Sequence, residues 1–253
     1  MDSRLEFAVK SAQEAAHIAL SYFGADFKVE EKEDSSPVTI ADRRAEEHLR
    51  KLIKSAYPED AIFGEEFGED GTGTGRWLID PIDGTKSFIC NVPLFGTLLS
   101  FEREGVPEIG VAVFPALELW IYAAKGQGAQ SNAGRAMVSK TSNLSEAVIS
   151  CGSISSLDKT GRLADLTKLS HQIRAVRGWS DAYGHFLVAT GRIEAMVDPI
   201  IKRYDISAME VIVQEAGGKC TDFSGNHSPQ IEALSSNGAL HEKLSACFVQ
   251  GVN

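Results

Sequence analysis

The stretch Trp77-Leu78-Ile79-Asp80-Pro81-Ile82-Asp83-Gly84-Thr85 constrains this chain more than any other. Three bulky apolar residues form a strand that must be buried, and two aspartates three positions apart leave its end. Pro81 fixes its own φ and has no N–H, which stiffens the turn between them. Gly84 lets backbone approach a ligand closely. Thr85 brings a hydroxyl to a helix start, where unpaired N–H groups suit a phosphate. Two carboxylates on a rigid turn also suit a hard divalent cation such as Mg²⁺, which takes oxygen ligands at about 2.0–2.1 Å. The plainer alternative is that Asp80 and Asp83 only build the turn, where Asp and Pro are common. The buried strand before them and Gly-Thr after them favour the metal reading.

The rest of the chain supplies a core large enough to bury that strand. Its 253 residues are 43% hydrophobic and 24% charged, as in an ordinary globular protein. Residues 3–23 repeat apolar side chains at helical spacing (Leu5, Ala8, Ala12, Ala15, Ala16, Ala19, Phe23) until Gly24, and a second helix is predicted over Ala41–Ala56. Strands follow at Ala61–Phe63, Trp77–Ile79, Gly96–Phe101, Ile109–Phe114 and Leu119–Ala123, the last two joined through Pro115-Ala116 as a hairpin. Beyond the glycine-rich segment 126–135 the pattern alternates. Strands are predicted at Val148–Cys151, Ile193–Val197 and Lys219–Phe223, and helices at Leu163–Ser170, Ala182–Thr190 and Ile206–Ala216. An antiparallel first half and an alternating second half give an α+β and α/β layered fold, divided at 1–136 and 137–253.

Charge and composition exclude several function classes. A formal net charge of −10 disfavours nucleic-acid and anionic-membrane partners, which need a basic face. A negative protein handling a negative substrate needs a cation locally. The longest apolar run, Gly110–Ala124, is broken by Pro115 and Glu118, so no membrane span is expected. Charged Arg4, Glu6 and Lys10 do not read as a secretory signal. Four scattered cysteines without a CxxC pair fit a reduced, cytoplasmic protein.

Other acids have a bland reading beside the functional one. Glu65 and Glu66 follow the short apolar run Ala61-Ile62-Phe63, at a strand end or in a solvated acidic loop. Asp42 completes a Thr39-x-x-Asp42 capping box. Asp205 precedes Ile206-Ser207-Ala208 as a helix N-cap. No two of the six histidines have metal-ligand spacing.

Taken together, Gly64-Glu65-Glu66, the Trp77–Thr85 stretch and Tyr204-Asp205-Ile206-Ser207-Ala208 before Gly217-Gly218 resemble the inositol monophosphatase superfamily. The resemblance implies an αβαβα sandwich, a homodimer and Mg²⁺-dependent, often lithium-sensitive, hydrolysis of a small phosphorylated metabolite. By position, Glu65, Asp80 and the Ile82 carbonyl would hold one ion, and Asp80, Asp83 and Asp205 a second, with a weaker third near Glu65. Thr85, hydrogen-bonded to Asp42, would orient and help deprotonate the metal-activated water, and the amides of Gly84 and Thr85 would take phosphate oxygens. The runs Asp83–Cys90, Val92–Thr97 and Arg177–Gly184 look like those of histidinol-phosphate phosphatases, where Asp181 and Asp198 would face a cationic leaving group. An inositol-1-phosphate or broad sugar-phosphate phosphatase is the alternative within the same chemistry. A metal-binding regulatory partner with little activity is the alternative outside it.

Overall fold

The structure is a computed structural model that describes residues 3–25, 28–31, 37–179 and 181–248. In chain order the first elements are α1 (Ser3–Tyr22), β1 (Glu30–Glu31), β2 (Pro37–Val38), α2 (Ile40–Ala56), β3 (Ala61–Gly64), β4 (Gly68–Asp70), β5 (Gly75–Asp83) and α3 (Thr85–Ile89). They are followed by β6 (Gly96–Arg103), β7 (Val106–Phe114), β8 (Leu119–Ala124), β9 (Ala129–Ser131) and β10 (Gly134–Ala136). The remainder comprises β11 (Val148–Cys151), α4 (Ile154–Lys159), α5 (Leu163–Ser170), β12 (Ala175–Arg177), α6 (Asp181–Ala189), β13 (Ala195–Asp198), α7 (Arg203–Glu215), β14 (Lys219–Thr221), β15 (Ala233–Ser236) and α8 (His241–Phe248).

Period-two alternation in the long strands builds the layers. On β7, Ile109, Val111 and Val113 pack against α1 and α2, while Ala112 and Phe114 face α6 and α7. An eight-stranded sheet, order β10-β9-β8-β7-β6-β5-β3-β4, therefore lies between two helical layers. The second sheet, order β12-β11-β13-β15-β14, covers the far side of α6 and α7. It shields a third core with α4, α5 and α8 through Ile149, Val197, Leu169, Leu244 and Phe248. This is the αβαβα sandwich that the resemblance implied. No helix among the described residues is long and apolar enough to cross a membrane.

The structure departs from the sequence reading in several elements. The larger sheet is not wholly antiparallel: β4 is an outer edge strand, and the chain crosses back so that β5 runs parallel to β3. The glycine-rich segment, to which the sequence reading gave no element, contains β9 and the start of β10, which extend the sheet as a tight hairpin. Strand β15, Ala-Leu-Ser-Ser, has no β-branched residue to announce it, yet all four of its residues are buried between β13 and β14.

A buried charge network seats α7 on the central sheet. Glu102 on β6 accepts the Arg203 Nε–H at 2.7 Å, the Ser207 hydroxyl at 2.9 Å and the Arg76 guanidinium at 3.0 Å. Arg203 also donates to Glu210 at 2.7 Å. Arg203→Met would leave Glu102 and Glu210 buried with Arg76, which bonds Glu102, as the remaining cation of this network. A loss of about 3–5 kcal/mol is expected, read from the urea midpoint. An unchanged midpoint would mean the network does not hold α7.

Candidate active site

Parallel strands place ligands at their carboxyl ends. Glu65 follows β3, and Asp80 and Asp83 close its parallel neighbour β5. In the other sheet β11 and β13 are also parallel; Ser153 follows the first and Asp198 ends the second. These ends meet the first turn of α7 and the start of α6 around a cleft of about 280 Å³. Its walls carry Glu65, Asp80, Ile82, Asp83, Gly84, Thr85, Asp181, Asp198 and Asp205.

A β-bulge brings Asp80 and Asp83 to one side. Residues three apart on a regular strand point to opposite faces. Here Asp80 pairs with Leu98 and Asp83 with Gly96, so three steps on β5 match two on β6. The extra residue returns Asp83 to the face of Asp80. Pro81 tolerates this place because it needs no ladder donor. Its carbonyl accepts the buried Thr97 hydroxyl at 2.8 Å, which secures the bulge. Both aspartates therefore lie within a strand and not on a turn beyond it.

Gly84 precedes α3 with φ +81°, and a side chain there would meet the Leu94 carbonyl at 2.9 Å. The Thr85 hydroxyl does not bond Asp42 as the resemblance implied; it donates to the Ile82 carbonyl at 3.0 Å. Asp42 is turned toward its own helix cap, where its Oδ2 accepts the Thr39 N–H at 2.8 Å and hydroxyl at 2.6 Å. The capping box is thus present, and Asp42 is not among the residues lining the cleft. Its Oδ1 is buried without a hydrogen bond. Burial, opposed by the Thr39 hydrogen bonds, raises the Asp42 carboxyl to about 6, and the charge of Glu65 adds to the rise.

Asp205 is not an N-cap. α7 begins at Arg203, and Asp205, third in the helix, accepts the Lys202 N–H at 2.7 Å. Asp83 accepts the Ala182 N–H at 2.8 Å and so satisfies an open donor at the start of α6. Asp181 sits beside it with φ +60°, a conformation uncommon outside glycine. Ser180, its neighbour in the sequence pattern, lies outside the described residues.

The cleft suppresses its own ionisation. Burial, then the charges of Glu65, Asp83 and Asp205, holds Asp80 well above the usual carboxylate range. Burial, then Asp181 and Asp205, does the same to Asp83, although the Ala182 N–H opposes it. Burial, then Asp181 and Asp205, raises Asp198. Asp205 is pushed up to about 7 by burial against the Lys202 N–H, with Glu65 and Asp181 adding repulsion. Such a cluster asks for a counter-cation. The donors are hard oxygens, and Asp80 Oδ1 is buried with no hydrogen-bond partner, so the residues fit a Mg²⁺-type ion. Among the described residues no three acids, histidines or cysteines already close on a single point as a ligand cage. The acids share a wall.

Lys86, Ser153, Ser156 and Ile200 also line the cleft, and sequence reasoning assigned them no role. The signal for the serines was faint: a small polar run, Ser153-Ile154-Ser155-Ser156, just past a predicted strand.

The sequence profile of the Inositol monophosphatase family matches residues 1–252. A histidinol-phosphatase of Chlorobaculum parvum is 40% identical, over 99% of this chain and 98% of its own length. A histidinol-phosphatase of Mycobacterium tuberculosis is 35% identical, over 95% of each chain. Among solved structures, a Thermotoga maritima IMPase superposes with a TM-score of 0.90 at 32% identity, over 98% of this chain and 97% of its own. Sequence profile and fold agree almost from end to end: the chain belongs to the inositol monophosphatase family, a family of phosphatases.

Proposed function

We propose that this chain is a Mg²⁺-dependent histidinol-phosphate phosphatase, converting L-histidinol phosphate and water to L-histidinol and phosphate. The observation that carries the reading is a surplus of acid. Asp181 and Asp198 stand in the same cleft as Glu65, Asp80, Asp83 and Asp205, beyond the set that ions would occupy. Histidinol carries an ammonium and an imidazole, donors that two further carboxylates can accept. The two histidinol-phosphatase relatives support the same substrate.

Glu65, Asp80, Asp83, Asp205 and the Ile82 carbonyl would hold the ions. When bound, Mg²⁺ supplies charge neutralisation of the phosphate oxygens, activation of water and stabilisation of the leaving alkoxide. The amides of Gly84 and Thr85 receive phosphate oxygens at the start of α3. Because the Thr85 hydroxyl hydrogen goes to Ile82, its oxygen is left to accept a hydrogen bond from the attacking water. Asp42, which the resemblance pairs with Thr85 in deprotonating that water, has a carboxyl raised to about 6, a value that suits proton uptake near neutral pH. Water oxygen bonds phosphorus as the ester P–O bond breaks, and the departing alkoxide gains a proton.

The Thermotoga maritima IMPase favours a second reading, an inositol-phosphate or broad sugar-phosphate phosphatase. Initial rates on L-histidinol phosphate and inositol 1-phosphate at equal Mg²⁺ separate the two. The expected kcat/KM favours histidinol phosphate, and a ratio of about tenfold toward inositol phosphate would reverse the assignment. Asp198→Asn is expected to cost about 10–100-fold on histidinol phosphate, the worth of a hydrogen bond to a charged group, and much less on inositol phosphate. Equal losses on both would remove Asp198 as the counter-charge.

A further inference from the structure

Outside the cleft, one buried carboxylate grips the loop that carries Glu65. Glu46 on α2 is wholly buried, and its carboxylate accepts the backbone N–H of Glu66 at 2.7 Å and of Phe67 at 3.2 Å. Arg50, one turn along α2, donates Nε–H to the same carboxylate at 2.7 Å and reaches the Gly68 carbonyl with a terminal nitrogen. On the near side of Glu65 the carboxylate stands directly over Gly64, where an added Cβ would lie 2.0 Å from Glu46 Oε1. Backbone on both sides of Glu65 is therefore clasped by one ion pair, while the Glu65 N–H itself bonds the Ile79 carbonyl at 3.1 Å.

A buried ion pair of this kind is a poor way to add stability, since desolvation offsets most of the attraction. It is a good way to hold a short loop in one geometry, because Glu46 is met by three donors that fix its direction. We propose that Glu46, oriented by Arg50, is a positioning residue that sets the Glu65 carboxylate in the cleft and thereby governs Mg²⁺ affinity. The inference rests on Glu65 being a metal ligand.

The test compares wild type with Glu46→Gln, Glu46→Asp and the double variant Glu46→Gln/Arg50→Gln. Mg²⁺ binding is measured by calorimetry, the Mg²⁺ midpoint of phosphate release and the ester KM by kinetics, and folding by thermal melting. Gln keeps the shape but turns an amide donor toward backbone or guanidinium donors; Asp keeps the charge but is one methylene short. In both, the Mg²⁺ Kd and the activation midpoint are expected to rise together by about 10–100-fold, as for the loss of an outer partner of a metal ligand. The ester KM at saturating Mg²⁺ should stay within about twofold. The double variant removes the uncompensated buried charge, so it should melt nearer to wild type and still bind Mg²⁺ weakly. A folded double variant, or a folded Glu46→Asp protein, with wild-type Mg²⁺ Kd would overturn the proposal and leave Glu46 a structural tie. Absence of Mg²⁺ binding in wild type would overturn the metal reading itself, and this inference with it.

Discussion

Asp83→Asn is expected to reduce turnover at saturating substrate and Mg²⁺ by about 10³-fold or more, while the metal-free protein melts at the same temperature or higher. The two halves of that result have one cause. Burial, reinforced by the charges of Asp181 and Asp205, keeps the Asp83 carboxyl from ionising. Replacing it with an amide puts a neutral group where a protonated one already sits, and the side-chain oxygen can still accept the Ala182 N–H now held at 2.8 Å. The fold loses nothing. What disappears is one anionic ligand from a site whose ions must stabilise the charge developing in phosphoryl transfer, and a few kcal/mol there is a factor of about 10³. Phosphate release within tenfold of wild type would show that Asp83 is not a ligand. A collapsed melting temperature would show instead that its role is to hold α6.

The second large effect is on pH dependence without metal. Between pH 5.5 and 7 the urea midpoint of the metal-free protein is expected to fall, and saturating Mg²⁺ is expected to abolish the fall. An acid whose folded pKa lies above its unfolded value keeps its proton longer in the folded chain. Stability is then fully present below the unfolded pKa, about 3.9 for Asp, and is lost as pH rises through the folded one. Asp205, raised to about 7, therefore loses its contribution between about pH 4 and pH 7, and Asp80, Asp83 and Asp198, also raised, act in the same sense. Two buried histidines act in the opposite sense. His185 is lowered to about 3 by burial, and His241 is also lowered, so they add stability with rising pH, but only up to about 6.5. The four raised acids outnumber the two histidines and set the sign of the slope. Mg²⁺ must displace the same protons, so its half-saturating concentration should climb below pH 7, by up to about tenfold per pH unit for each proton displaced. A metal-free protein that gains stability from pH 5.5 to 7 would mean that burial and mutual repulsion do not hold these carboxylates protonated.

Much of the secondary structure was legible because it is a short-range property. The apolar spacing of residues 3–23 and the Thr39–Asp42 capping box give α1 and α2 nearly residue by residue. Leu163–Ser170 matches its predicted bounds. Strand β15 and the β9–β10 hairpin escaped, because their burial or pairing comes from neighbours that no local pattern names. The parallel run of β3 and β5 escaped for the same reason: a three-residue edge strand, β4, reverses the chain between them.

The sequence by itself determined the chemistry available here: acidic, oxygen-rich positions at element ends, a rigid Asp-Pro-Ile-Asp-Gly-Thr run and a net charge of −10. Only the tertiary structure decided how those groups meet. Pairing with Leu98 and Gly96 creates the bulge that turns Asp80 and Asp83 to one face, and the Arg203 network brings Asp205 across to them from more than a hundred residues away. It also gave the Thr85 hydroxyl to Ile82 and not to Asp42. Residue types and their local spacing are written along the chain, whereas register, crossing strands and buried ion pairs are set by contacts between segments that are close only once folded.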